Sequence, residues 1–254
     1  MTEKYRFNKK EHKHEILIGE KWQPLTGCTT ILSVLAKPAL IAWAANMTAG
    51  FLKEKLDEIK QLNEADWLSM LEDARKAHAR RKTEAGDYGT KTHESISNLI
   101  GLAIKKNKGF IPEPIIDLAK LDCGIDKSLK NFIDWADKNK VKFLESEKNI
   151  YSEELFIGGI VDMVCEIDGQ VWLGDIKTSG SGIYADHFFQ CAGYHIMLEA
   201  MKLYPKITGY LILNLKESGE MLEKRSISNE ENRKIFINCL EIYRQQEKLK
   251  SNIK

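Results

Sequence analysis

Residues 155–177 read LFIGGIVDMVCEIDGQVWLGDIK, and their patterning decides the fold. Two apolar, β-branched runs, Leu155 to Ile167 and Gln170 to Lys177, are joined by Asp168-Gly169. An Asp-Gly pair supplies the two positive-φ residues of a tight hairpin turn, so the segment is predicted as two adjacent antiparallel strands. Strand side chains alternate between faces, so Asp175 and Lys177 project to one side while Ile176 points into the opposite layer. Asp162 on the neighbouring strand can join them. Two carboxylates converging on one point repel unless a cation lies between them, and hard oxygen ligands favour magnesium or manganese over zinc. A lysine beside them suits phosphodiester hydrolysis, because its ammonium can orient the attacking water and neutralise charge that grows on the transition state.

The flanking segments add to this site. Ala185 to Leu203 reads as a helix in which Gln190 and Tyr194, four residues apart, share one face. Upstream, Gly89-Thr90-Lys91-Thr92-His93-Glu94 reads as the start of another helix, with His93 in its first turn or so. A neutral imidazole is a competent ligand for a divalent ion, so His93 could complete the carboxylate set.

These residues resemble the PD-(D/E)xK nucleases, and within them the RecB-type exonuclease domains with their phage and mitochondrial genome maintenance exonuclease-like relatives. The resemblance spans roughly Tyr88 to Leu203. It rests on G-T-K-T-H ending at His93, G-G-I-V-D ending at Asp162, G-D-I-K-T-S containing Asp175 and Lys177, and Q-C-A-G-Y from Gln190 to Tyr194. Val161 stands where many members have proline. The resemblance implies a restriction-endonuclease-like core in which His93, Asp162, Asp175 and the backbone carbonyl of Ile176 hold magnesium or manganese. It further implies that Lys177 acts on the water and that Gln190 and Tyr194 line the site. Similar nucleases carry an acidic residue on the first sheet strand; Glu147 is one choice, with Glu145 and Glu153 as competitors. Some RecB-like members hold an iron-sulfur cluster on four cysteines, but Cys28, Cys123, Cys165, Cys191 and Cys239 have no paired C-x-x-C spacing, so no cluster is expected.

Composition agrees with a globular α/β chain. Among 254 residues the charged side chains nearly balance, with 38 basic and 37 acidic, which excludes a strongly basic nucleic-acid coat. The apolar region around Leu35 to Ala45 is broken by Lys37 and Pro38, so no membrane segment is expected, and scattered cysteines odd in number suit a reducing, intracellular compartment. The predicted plan is a central mixed sheet flanked by helices. An N-terminal β-element and helical extension over residues 1–87 would pack on a nuclease core over residues 88–254. Extended runs are read at Lys4 to Phe7, His14 to Ile18 and Trp22 to Leu25. Helices are read from Thr29 or Thr30 toward Ala36, from Ala39 to about Lys60, and over Asp66 to Ala85, Thr90 to Lys105 and Lys127 to Asn139. A strand over Val141 to Tyr151 leads into the hairpin, and Ile207 to Leu215, Leu222 to Ile227 and a helix from Asn229 to Leu249 complete the chain.

Arg75, Lys76, His78, Arg80, Arg81 and Lys82 cluster before the His93 motif. This patch, through Arg75, Arg81 and Lys82, could guide a DNA backbone; alternatively it is a solvated charged face paired with Glu72, Asp73 and Glu84. Tyr88 is the better candidate for stacking on an unpaired base, whereas Trp43, set among Leu40, Ile41 and Ala44, is expected in the core. The expected partner is DNA, single-stranded or with free ends. Any unwinding would come from a helicase or recombination partner, since no phosphate-loop sequence is present. An exonuclease in replication, recombination or repair is what the resemblance implies. An endonuclease or structure-specific nuclease of the same fold, and a catalytically silent nucleic-acid-binding protein, are the alternatives.

Overall fold

The computed structural model describes residues 4–120, 126–204, 206–227 and 229–252. Cys123, one of the cysteines weighed above, lies outside the described residues. In chain order the elements are β1 (Tyr5–Asn8), β2 (Lys13–Ile18), β3 (Lys21–Gly27), α1 (Cys28–Ile31) with a 3₁₀ turn over Leu32–Val34, α2 (Pro38–Glu54), α3 (Leu56–Ile59), α4 (Glu64–Lys106), α5 (Glu113–Lys120) and α6 (Lys127–Lys138). They continue as β4 (Lys142–Ser152), β5 (Ile157–Ile167), β6 (Gln170–Lys177), α7 (Ala185–Ala200), β7 (Ile207–Leu215), β8 (Met221–Ser226) and α8 (Asn229–Asn252). The fold is α/β, with a mixed eight-stranded sheet flanked by helices.

The hairpin forms as the sequence dictates. Asp168 and Gly169 take φ of 51° and 72°, the turn that matches the twist of β5 and β6. β6 pairs parallel with β7, which pairs antiparallel with β8, and β4 covers the far edge of β5. On its near edge β5 is shared. Its first residues, Ile157 and Gly158, pair parallel with Thr26 and Gly27 of β3, and Met163 to Ile167 pair antiparallel with β6. Residues 159–162 fall between those two ladders, and Asp162 sits where β5 and β6 part.

The main core lies against one face of β6 and β7. Ile176, Leu211, Leu213 and Leu215 meet Ile96 and Ile100 of α4, Phe132, Ile133 and Trp135 of α6, and Phe143 of β4. Asp126 starts α6 by accepting the Ser128 and Leu129 amides through its side chain, the cap that aligns its apolar stripe with the sheet. Asp175 and Lys177, adjacent to Ile176 on either side, take the opposite face of β6.

By internal packing the described chain divides into two compact units, residues 1–34 with 91–254, and residues 35–90. The seam near residue 90 lies close to the expected one near 87, but the N-terminal strands belong with the core through the β3–β5 pairing. In the smaller unit no residue of α2 is buried, and Trp43, expected in the core, remains 37% exposed with its ring edge-on to His78. A unit of so few residues cannot surround so many apolar side chains, and Leu40 and Ile41 stay exposed with it.

Several helix boundaries differ from expectation. No side chain caps α1: Gly27 stands at its N-cap, and the stretch read as a helix toward Ala36 closes after one turn and a 3₁₀ turn. The helix read over Ala39 to Lys60 divides at Lys55 into α2 and α3. α5 lies between the helices read over Thr90 to Lys105 and Lys127 to Asn139, where no element was expected, with Pro114 tolerated in its first turn, where an amide would have no partner. The helix start expected at Gly89-Thr90 is absent, because α4 runs unbroken through both residues. Thr90 Oγ1 donates to the Gly86 carbonyl at 3.0 Å, the i−4 back-bond of a helix interior, and so offers no cap. Among the described residues no single helix is long and apolar enough to cross a membrane.

Candidate metal centre

α4 carries His93 on the stripe that buries Ile96 and Ile100, three and seven residues later, so the main core fixes the imidazole's position. Its Nδ1 lies 3.7 Å from Asp162 Oδ1, beyond hydrogen-bond distance. The other Asp162 oxygen, Oδ2, accepts the Ile176 amide at 2.7 Å. That bond replaces the ladder partner that β6 loses where β5 diverges, and it ties both strands of the hairpin to one carboxylate.

Glu147 enters from β4. Ser146 pairs with Met163 and Lys148 with Val161, which sets Glu147 across from Asp162. Glu147 has φ of 48°, a left-handed conformation that strand residues seldom adopt. The residue as a whole is exposed, yet its carboxyl turns to the site: one ligand atom each from His93, Glu147 and Asp162 lies within 4.8 Å of the others. Of the three acidic choices on this strand and its turn, Glu147 is the one brought to Asp162. Glu145 pairs instead with Lys148 and accepts from the Tyr204 hydroxyl, and Glu153 pairs with Lys4.

Asp175 is 1% exposed, and its Oδ2 lies 2.7 Å from Lys177 Nζ, a close ion pair. Lys177 Nζ donates to Gln190 Oε1 at 3.1 Å, and Gln190 Nε2 donates to the Tyr194 hydroxyl at 2.6 Å. Because an ammonium only donates, the Gln190 amide must turn its oxygen to Lys177 and its nitrogen to Tyr194. The four-residue spacing on α7 places both side chains on one face. Gly159 makes room for them: a Cβ there would meet Tyr194 Cε1 at 2.7 Å and Met197 Cε at 3.1 Å. The glycine preceding Ile160 and Val161 therefore lets the tyrosine ring rest directly on β5.

The electrostatics are those of a site short of positive charge. Burial raises the Asp162 pKa against the pull of His93, Lys177 and the Ile176 amide, and Glu147 raises it further. Burial likewise raises Asp175, opposed by Lys177 and reinforced by Asp162. Glu147 is raised by burial, with His93 and Lys9 opposing. Burial disfavours the Lys177 ammonium, but Asp175 and Asp162 outweigh it and its pKa rises. Burial raises the Tyr194 phenol well above its ordinary value, so it stays protonated.

The structure thus brings together His93, Glu147, Asp162, Asp175, Ile176, Lys177, Gln190 and Tyr194 within one unit. Arg75, Arg81, Lys82 and Tyr88 lie in the other unit. There Arg75 pairs with Glu72 at 2.9 Å, Arg80 with Asp73 at 3.4 Å and Arg81 with Glu84 at 3.5 Å. Tyr88 is half-buried. Sequence reasoning missed Asn214, a fully buried amide on β7 whose neighbour in the β6 ladder is Lys177. A lone asparagine in the apolar run Ile207 to Leu215 was the available signal.

No protein-family model matches this chain, and no curated protein matches it. Among solved structures it is similar to the crystal structure of SSO0001, at 13% identity and a TM-score of 0.27. The match covers 45% of this chain and 56% of that one, and so slight a likeness carries no argument.

Proposed function

We propose that the chain is a magnesium- or manganese-dependent deoxyribonuclease that hydrolyses phosphodiester bonds, working as an exonuclease on DNA with free, single-stranded ends. One observation carries the reading: donor atoms of His93, Glu147 and Asp162 converge within 4.8 Å, beside a buried Asp175 whose Oδ2 is paired with Lys177 at 2.7 Å. Donors around an octahedral magnesium ion stand about 3 Å apart when adjacent and about 4 Å apart when opposite. The 4.8 Å span of the His93, Glu147 and Asp162 donors is wider than either, so these side chains would have to draw in around the ion. A set of one imidazole and three carboxylates, all of the latter with raised pKa, fits a hard divalent cation in charge and in chemistry.

His93, Glu147, Asp162 and Asp175 would hold the ion. The Ile176 carbonyl suits the same role, because N–H and C=O of one strand residue face the same edge, and the Ile176 amide faces Asp162. When bound, the ion supplies Lewis-acid polarisation of a phosphoryl oxygen and makes water a better nucleophile. Lys177 orients the attacking water and neutralises charge on the phosphoryl oxygens. Gln190 and Tyr194 hold the ammonium in line for that work. The preference for ends and single strands extends the resemblance carried by the His93, Asp162, Asp175–Lys177 and Gln190–Tyr194 motifs.

The test is cleavage of end-labelled linear single-stranded DNA beside a circular control, with magnesium, manganese or chelator, comparing wild type with Lys177→Ala. Metal-dependent loss of the linear strand alone, abolished in the variant, is the expected result. Cutting of the circle would move the assignment to an endonuclease. Retention of both strands under either metal would overturn the nuclease reading in favour of a binding role.

A further inference from the structure

Asn214 is fully buried, and in the parallel pairing of β6 with β7 it stands opposite Lys177. Side chains paired across a ladder leave the same face of the sheet, with the strands about 4.8 Å apart. Asn214 therefore shares the face that carries Asp175 and Lys177. Its Nδ2 donates to the Ser181 carbonyl at 2.8 Å, in the 178–184 loop that joins β6 to α7. A backbone carbonyl can only accept, so that bond fixes the amide's orientation and turns Oδ1 the other way. Oδ1 is buried and has no hydrogen-bond partner. Buried amide oxygens without a donor are rare enough to need a physical reason.

Lys177 supplies one. Its ammonium has three protons. In the structure it contacts two acceptors, Asp175 Oδ2 and Gln190 Oε1. A half-buried ammonium, its side chain 22% exposed, and a buried oxygen lacking a donor occupy neighbouring positions on one sheet face.

We propose that Asn214 is a positioning residue, with Oδ1 as the third acceptor of the Lys177 ammonium, holding it on the reacting phosphate once Asp175 releases it. The inference rests on the nuclease reading above. An acceptor suits the position, because an apolar side chain would leave Lys177 with Gln190 alone. The Ser181 bond gives the same residue a second grip, on the loop that leads into the helix of Gln190 and Tyr194.

The two roles separate by substitution. Asn214→Asp and Asn214→Leu both lose the donor to Ser181, but only the aspartate keeps an acceptor. Turnover of linear single-stranded DNA by Asn214→Leu is expected to fall about 10- to 100-fold, the worth of one hydrogen bond to a charged group, with single-strand affinity in chelator unchanged. Asn214→Asp is expected to retain most of the turnover. If either variant melts at the assay temperature, the same comparison is made at a lower temperature at which both are folded. A non-catalytic readout is the ammonium proton signal of Lys177 in the magnesium-loaded protein, assigned by its loss in Lys177→Met. It should persist in the aspartate variant and broaden in the leucine variant. Wild-type turnover in Asn214→Leu, or equal losses in the aspartate and leucine variants, would overturn the proposal and leave Asn214 a loop anchor. Failure of the wild type to cleave would instead remove the nuclease reading, with the ammonium signal still deciding whether Asn214 holds Lys177.

Discussion

Asp162 gives one oxygen to a backbone amide and turns the other toward His93, so the residue is both a structural acceptor and a candidate ligand. Its raised pKa has a definite sign. A carboxyl whose pKa is higher in the folded chain than in the unfolded one costs no stability below the unfolded value. The cost grows as pH rises through the interval and is full above the folded value. The metal-free protein is therefore expected to lose stability as pH rises through the raised carboxyl range, and on the proposed reading a divalent ion would restore it. Asp162→Asn keeps an acceptor for Ile176 and removes the charge. Its metal-free melting temperature at neutral pH should exceed wild type by about 2–4 °C for each kcal/mol relieved, while the magnesium-induced rise shrinks. A lower metal-free melting temperature would show that the charge is not a burden. His93, Asp162, Asp175, Lys177, Gln190 and Tyr194 were legible because each belongs to a short motif whose geometry follows from strand or helix spacing. Glu147 was one choice among three, since nothing local announces a left-handed glutamate in a strand. Asn214 was invisible, because its closeness to Lys177 depends on the register of strands 37 residues apart in sequence.

At the scale of elements, α7 seats against β5 through Gly159. Gly159→Ala would drive a methyl into the Tyr194 ring and displace the Gln190–Lys177 relay, with an overpacking cost of about 1–3 kcal/mol. Cleavage should fall by more than the fraction unfolded explains, as measured by activity against melting on the same samples. Gly180→Ala, where a Cβ meets nothing within 4 Å, should behave as wild type. The hairpin was readable from Asp168-Gly169 alone. α4 was not, because glycine and threonine near residue 90 look like a helix start until Thr90 is seen bonding back to Gly86. A continuous α4 makes a further prediction. Gly86→Ala, in a helix interior with open space around it, should stabilise the chain by about 0.5–1 kcal/mol in denaturant unfolding. Destabilisation would indicate that the helix breaks there.

At the scale of the molecule, charge is the quantity that bears on a polyanionic substrate. Residues 35–90 carry nine basic and nine acidic side chains, and Arg75, Arg80 and Arg81 each have an acidic neighbour on the same helix. Phosphate contacts are read out as the salt dependence of binding, with a slope of about 0.7 per neutralised phosphate for single strands. Replacing Arg81 and Lys82 with alanine is therefore expected to change the slope for single-stranded DNA by less than one. A fall of about one and a half, two phosphates' worth, would establish the guiding role instead. The central mixed sheet and its flanking helices were legible from alternation and turn residues. The membership of β1 to β3 in the larger unit was not, since it rests on the Thr26–Gly27 pairing with Ile157–Gly158 and on Tyr5, which stacks on Tyr151 and donates to the Gly159 carbonyl, and such distant contacts leave no local mark in sequence.

The parting of β5 from β6 has a consequence for kinetics. Between the end of the β3 ladder and the start of the β6 ladder, no strand has claimed the near edge of residues 159–162. Asp162 holds that seam shut with a side chain rather than a neighbouring strand. On the proposed reading an ion entering there would break no strand-to-strand hydrogen bond, so its entry would depend on the release of Lys177 from Asp175 and on the stripping of the ion's water, and not on how often the sheet unzips.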